Sequence, residues 1–148
     1  MTPHIFTLPG WQGSGAQHWQ IRWANLFGDQ VVEQHDWMQP LRGDWITRLE
    51  DAVQNQLSQN PNQNIAFVAH SLGCHLLASW AALSPHVKHV AGALLVAPPD
   101  TARADFPGGD AHPRLEPLPV GVDEADERHG RRADLGGEQR QVIERLLR

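Results

Sequence analysis

Apolar runs alternate with stretches of helical hydrophobic spacing along the first hundred residues of the chain. Each apolar run is bounded by polar or turn-forming residues and predicts a strand. These strands fall at residues 5–8, 31–35, 65–69 and 87–97. Between them, apolar side chains recur every three or four positions and predict helices. The helices fall near residues 19–27, 45–57 and 72–83, with Asp44 as the predicted N-cap of the second.

Near-continuous apolar strands separated by amphipathic helices are typical of a parallel sheet with helices on both faces. The pattern therefore predicts an α/β fold. In the first predicted helix, Trp19, Trp23, Leu26 and Phe27 lie on one face. The helical spacing assigns most of the six tryptophans of the chain to the core.

The composition changes after residue 102. Of the 29 charged side chains, 18 fall in residues 103–148, and this segment contains none of the tryptophans. Arginine, glycine, proline and alanine fill 22 of its 46 positions, and it contains no apolar run of strand type. We therefore predict a partial α/β core at residues 1–102, incomplete on its C-terminal side, and a divergent, weakly ordered tail at residues 103–148.

A serine stands at the junction between the third predicted strand and the third predicted helix. Ser71 follows the run at 65–69, and Gly73 comes two residues later. A serine on such a turn is typical of a nucleophile elbow, which directs the hydroxyl out of the sheet toward a substrate. The usual motif is G-x-S-x-G, and here Ala69 replaces the first glycine. An ordinary β–α turn with a serine helix cap fits the same residues.

A glycine-rich loop, residues 9–15, follows the first predicted strand. Three glycines in six residues allow backbone N–H groups to converge on one point. A phosphate site is one interpretation, although the P-loop ending and the G-x-G-x-x-G spacing are both missing. A flexible connection is another. The third is an oxyanion hole, in which the N–H of Trp11 joins the N–H of Leu72, the residue after the serine.

Four sequence blocks, in this order, closely resemble the small α/β-hydrolases that are serine hydrolases related to retinoblastoma-binding protein 9. The blocks are PGWQGSGAQHWQ at 9–20, VEQHDW at 32–37, VAHSLGC at 68–74 and GALLVAPPD at 92–100. The resemblance covers about residues 4–106. It implies an α/β-hydrolase fold with Ser71 as the nucleophile and a backbone oxyanion hole.

The resemblance does not extend to the other two members of a catalytic triad. Members of the family continue with a strand that bears the triad aspartate and another that leads to the triad histidine, and neither pattern can be read here. Asp123, Asp126 and His129 follow Ser71 in the order of a triad. Their spacing leaves no room for the intervening element, so we interpret them as a solvated stretch and leave the acid and base unassigned. One hypothesis is that a frame-shift in a GC-rich gene produced the tail.

Composition limits the other function classes. The net charge of −5 argues against a nucleic-acid partner, and no apolar run reaches the roughly 18 residues of a membrane span. The N-terminus shows no secretory signal, and a single cysteine, Cys74, fits a reducing, cytoplasmic setting. No His, Cys, Asp or Glu group has metal-ligand spacing, so we expect neither a metal nor a cofactor.

The sequence therefore favours a serine hydrolase that acts on a small ester or amide. The alternative is a catalytically impaired or non-catalytic binding protein of the same fold that lacks the triad aspartate and histidine. A third hypothesis is nucleotide binding through the loop at 10–15. An incomplete sheet would also leave an exposed edge, which favours self-association.

Overall fold

The computed structural model describes residues 2–99, which form a four-stranded parallel sheet with helices on both faces. The strands are β1 (His4–Leu8), β2 (Gln30–Val31), β3 (Ile65–His70) and β4 (Val90–Val96). The helices are α1 (Trp19–Phe27), α2 (Arg42–Gln59), α3 (Leu72–Leu83) and a 3₁₀ helix, η1 (Pro85–His89). The strand order is β2-β1-β3-β4, and every neighbouring pair is parallel. The predicted α/β fold is confirmed.

The alternation of side chains along β3 separates the two faces of the sheet. Ile65, Phe67 and Ala69 are fully buried, and the Phe67 ring lies 5.3 Å from the ring of Trp80 on α3. The residues between them are half-buried. On that second face His70 meets Trp19 of α1, with ring centroids 5.9 Å apart. The sheet therefore lies between α1 on one side and α3 on the other.

The core lies mainly between the sheet and helices α2 and α3. Helix α2 buries one side chain per turn, at Trp45, Leu49, Val53 and Leu57. Full burial of such a side chain contributes about 1.5–3 kcal/mol to the free energy of folding. Within residues 2–99, no helix combines the length and the apolar character that crossing a membrane requires.

Three predicted boundaries are wrong. The fourth strand begins at Val90 rather than at residue 87, because Pro85–His89 form the 3₁₀ helix η1. The second strand ends at Val31 rather than at residue 35, because only Val32 makes a further bond to the sheet, from its N–H to the Thr7 carbonyl at 3.0 Å. The chain then turns at Asp36, whose Oδ1 accepts bonds from two following N–H groups. Helix α2 begins at Arg42, so Asp44 lies inside its first turn and is not the N-cap. There its negative charge complements the helix dipole.

The predicted inward face of α1 is also wrong. Three of its residues are exposed: Trp23 by 45%, Leu26 by 73% and Phe27 by 68%. The buried residues of α1 are Gln20 and Ala24 instead. This helix therefore buries one small and one polar side chain, and the Gln20 amide bonds the strand ends at Leu8 and Val68.

Candidate active site

Ser71 occupies an unusual backbone conformation at the junction of β3 and α3. Its φ is 53° and its ψ is −125°, a region that few residues other than glycine adopt. Such a conformation costs about 1–3 kcal/mol and persists only where the surroundings impose it. Here the Ser71 N–H is bonded to the Val96 carbonyl at 2.9 Å. The side chain makes no capping bond to α3, so the helix-cap interpretation of this serine is wrong.

Gly73 allows α3 to begin directly against the end of β1. A Cβ at this position would overlap the carbonyl oxygen of Leu8 and lie 3.0 Å from the carbonyl oxygen of Pro9. Both neighbours are backbone atoms, which cannot rotate away as a side chain would. A glycine two residues after the serine is therefore a packing requirement of the turn at residues 69–73, which we call the elbow.

Gly10 brings the glycine-rich loop against the elbow. A Cβ on Gly10 would lie 2.8 Å from Ser71 Cβ and 3.1 Å from both Ser71 Oγ and the backbone nitrogen of Leu72. The Trp11 N–H follows directly in the chain. Within residues 2–99, neither the Trp11 N–H nor the Leu72 N–H has a backbone acceptor. The structure thus brings together the loop and the serine that the sequence predicted to meet.

A tight turn fixes the conformation of the loop. The Gly13 N–H donates to the Gly10 carbonyl at 3.0 Å, and Gln12 has a φ of 65°, as the third residue of a type II turn does. The Gln12 N–H bonds the Trp37 carbonyl at 3.0 Å, and the Trp11 indole N–H bonds the Met38 carbonyl at 3.2 Å. The loop is therefore held by its own turn and by the segment that follows β2.

Gln20 is part of this region, although the sequence pattern predicts no separate role for it. It is 0% exposed, and its Nε2 donates to the carbonyls of Leu8 and Val68 at 3.1 and 3.0 Å. Its Oε1 accepts a bond from Ser14 Oγ at 3.2 Å. The signal that could have found it is a glutamine inside the block at 9–20, one position after Trp19.

Two histidines lie beside the elbow on the α1 side. The rings of His18 and His70 are 4.8 Å apart. His18 is the N-cap of α1, and its Nδ1 accepts a bond from the Gln20 N–H at 3.3 Å. Burial, and then the charge of His18, lower the pKa of His70. These contacts give both rings a structural role, consistent with their place on the second face of the sheet.

The other two histidines of interest lie on or after α3. His75 is 2% exposed, and its Nε2 donates to the Pro99 carbonyl at 2.8 Å. His86 bonds Glu50 at 2.9 Å, the ion pair found among residues 2–99. His86 follows the C-terminal end of α3, so the length of the helix separates it from Ser71, about 18 Å at 1.5 Å per residue. The His86–Glu50 pair therefore lies away from the elbow.

The sequence candidates for the acid and base, Asp123, Asp126 and His129, lie outside the described residues. Among residues 2–99, no three His, Cys, Asp or Glu side chains come together as a metal site would need.

Cys74 adjoins the serine without the character of a nucleophile. It is buried, and burial raises the pKa of its thiol to about 12 even though the thiol bonds the Val96 carbonyl at 3.6 Å. Because the thiolate is the reactive form, this cysteine is inert at neutral pH.

A comparison with protein families identifies the family of the chain. The family model described as serine hydrolase matches residues 5–121, which is most of the chain. The chain belongs to the serine hydrolase family. The match includes the loop, the elbow and β4, and it continues into the segment where the composition changes.

A solved structure shows the same fold. A YdeN-like hydrolase from Pectobacterium atrosepticum is similar to this serine hydrolase family member with a TM-score of 0.58 and 24% sequence identity. The alignment covers 71% of this chain and 54% of that one, so the chain spans about half the length of that relative. The comparison with curated proteins gives no match.

Proposed function

We propose that the protein is a cofactor-free serine hydrolase that acts on a small ester or amide. Ser71 Oγ attacks the carbonyl carbon, and the N–H groups of Leu72 and Trp11 bind the oxyanion that forms. The leaving alcohol or amine departs with a proton, and water then releases the acyl group from the serine. We also propose that, within the family, the protein is related to retinoblastoma-binding protein 9. The resemblance of the four sequence blocks supports this relation.

The observation that carries the proposal is the strained backbone of Ser71 with Gly10 packed against it. A serine that served only as a helix cap would have an extended backbone and a side-chain bond to the helix, and Ser71 has neither. The Leu72 N–H lies at the N-terminus of α3, where the helix dipole favours negative charge. The loop supplies the Trp11 N–H, one residue after Gly10, which packs against Ser71. This arrangement suits a tetrahedral oxyanion.

The proposal also needs a base. A histidine must accept the proton of Ser71 Oγ, and a carboxylate must orient that histidine. The ion pair found among residues 2–99, His86–Glu50, lies at the other end of α3 from Ser71. The proposal therefore leaves the acid and the base unassigned.

A fluorophosphonate probe tests the proposal, because it labels a serine only when that serine is activated. The wild type should be labelled, and Ser71→Ala should not. Ser79→Ala is the matched control, since Ser79 is a buried serine on the same helix. We expect it to be labelled like the wild type. Labelling that survives Ser71→Ala would refute the assignment of the nucleophile.

The second candidate is a catalytically impaired or non-catalytic binding protein of the same fold. The sequence favours it, because the family's strands that carry the triad aspartate and lead to the triad histidine cannot be read after the fourth block. Without a base the hydroxyl is a weak nucleophile, and only the contribution of the oxyanion hole and of binding would remain. Folded wild-type protein that resists the probe would select this candidate.

We also propose that two copies of the chain associate through β4. Within residues 2–99, β4 is the last strand on one side of the sheet, and Leu94 is 45% exposed. Unpaired strand edges invite pairing with another chain. Leu94→Lys should shift a dimer toward monomer in light scattering, and a monomeric wild type would exclude the association. The cytoplasmic location and the absence of a nucleic-acid partner stay predictions.

A further inference from the structure

Gln20 is a fully buried polar residue at the point where the elbow and the loop meet. It lies in the first turn of α1 and is 0% exposed. Burial of an amide is unfavourable unless its groups are hydrogen-bonded, by roughly 1–3 kcal/mol on the scale of protein mutations. An apolar side chain would fill this position without that cost. Its amide therefore needs a reason beyond packing.

The amide joins the ends of the two central strands. Leu8 is the last residue of β1, from which the glycine-rich loop departs. Val68 lies three residues before Ser71 on β3. Gln20 Nε2 uses both of its hydrogens on these carbonyls, at 3.1 and 3.0 Å. One planar group thus fixes the origin of the loop relative to the origin of the elbow.

The same amide also holds the far side of the loop. Ser14 Oγ donates to Gln20 Oε1 at 3.2 Å, so the loop is attached to the amide both at its start and near its end. Between these attachments lie Gly10, in contact with Ser71, and the Trp11 N–H. Movement of the amide would therefore change the distance between the loop N–H and the N–H of the elbow.

We propose that Gln20 is a positioning residue that sets the separation of the Trp11 and Leu72 N–H groups. The inference rests on the proposed function, because it assumes that these two groups bind an oxyanion. Gln20 itself does not touch the substrate. A misplacement of about 1 Å in such a site can reduce the rate by about 100-fold. The residue therefore acts on the chemical step through geometry.

The first test replaces Gln20 by methionine, which has a similar shape and no hydrogen bonds. The full chain should hydrolyse p-nitrophenyl acetate with a kcat lower by about 10- to 100-fold and with little change in KM. Gln56→Met is the matched control, because Gln56 lies half-buried on α2, away from the elbow, and its amide donates to Gln63. If the role of Gln20 is purely structural, Gln20→Met lowers the fraction of active protein and leaves kcat per folded molecule unchanged. That result would overturn the proposal.

A coupling experiment asks whether Gln20 acts through the loop N–H. Trp11→Ala retains that N–H, whereas Trp11→Pro removes it. Gln20→Met should reduce kcat in the alanine background and have almost no effect in the proline background. Reductions that agree within about 2-fold in the two backgrounds, as for independent sites, would refute the inference.

Hydrogen exchange separates this inference from the proposed function. Gln20→Met should speed the exchange of the Gly13 N–H, which closes the turn of the loop, and leave α2 unchanged. If Gln20→Met fails to fold, Ser14→Ala removes only the bond on the loop side and should have the same local effect. Unchanged exchange at Gly13 overturns the inference whether or not the protein is active. Faster exchange in a protein without Ser71-dependent labelling supports the positioning role while the proposed function fails.

Discussion

Replacement of Trp11 by proline tests the proposed oxyanion hole directly. Trp11 is the second residue of the turn from Gly10 to Gly13, whose third residue, Gln12, has a φ of 65°. Proline is favoured at the second position of such turns, so the loop should retain its path. The substitution removes the backbone N–H. Trp11→Ala removes the same indole and retains the N–H, which makes it the matched control.

The expected magnitude follows from comparing these two variants. Both lose the bond from the Trp11 indole to the Met38 carbonyl and the packing of the ring against the core. That common loss cancels in the ratio of their rates. The loss of one oxyanion donor raises the barrier by about 2.7–4 kcal/mol, which is about 100- to 1,000-fold in kcat. We therefore expect Trp11→Pro to be slower than Trp11→Ala by this factor.

The assay is the hydrolysis of p-nitrophenyl acetate, with the rate of fluorophosphonate labelling as a second measure. Urea unfolding of both variants checks that each is folded at the assay temperature. If the two variants react at rates within about 2-fold of each other while both are folded, Trp11 is not an oxyanion donor. The proposed site would then consist of Ser71 and the Leu72 N–H, without a donor from the loop.

Two further predictions concern stability. Gly73→Ala should lower the free energy of unfolding by about 1–3 kcal/mol, because the added Cβ overlaps the carbonyl of Leu8. Gly43→Ala should instead raise the free energy of unfolding by up to about 1 kcal/mol, because Gly43 lies in the first turn of α2 with open space around it. Both are measured by urea unfolding, and equal effects would contradict the packing argument. For Glu50, burial opposes ionisation, but hydrogen bonds from Ser84, Trp80 and His86 and the charge of His86 lower its pKa below the ordinary 4.5. Its contribution to stability is therefore complete above 4.5 and is lost as the pH falls through the folded-state pKa, so Glu50→Gln should flatten this acid loss. A wild type and variant with parallel pH profiles would refute this account.

The sequence predicted the parts of the site that are local in the chain. Strand β3, the serine and helix α3 follow one another without interruption, so apolar runs and helical spacing were enough to place Ser71 at a turn. The role of Gly73 could be read from its motif, although its cause, the Leu8 carbonyl, lies on another strand. The contact of Gly10 with Ser71 depended on the parallel pairing of β1 with β3, which the α/β pattern implies.

The sequence did not predict the orientation of α1. Four large apolar side chains on one face outweighed a single glutamine in the pattern, so the helix was expected to bury its aromatic residues. The structure buries Gln20 instead, and its amide donates to the carbonyls of Leu8 and Val68 at the sheet end. Hydrophobic periodicity does not describe such bonds. It measures which side chains avoid water and not which side chains bond the backbone at a strand end.

The two functional hypotheses differ in the base, not in the oxyanion site. The contacts of Gly10, Gly73 and Gln20 that hold the loop against the elbow lie within residues 2–99. A chain without a histidine–carboxylate pair should therefore retain a preorganised site for a tetrahedral anion while losing the activation of Ser71. The non-catalytic form would be identified by two results together. The fluorophosphonate fails to label the protein, and a boronate or phosphonate still binds weakly in a way that depends on the Trp11 N–H. Labelling that depends on Ser71 identifies the hydrolase.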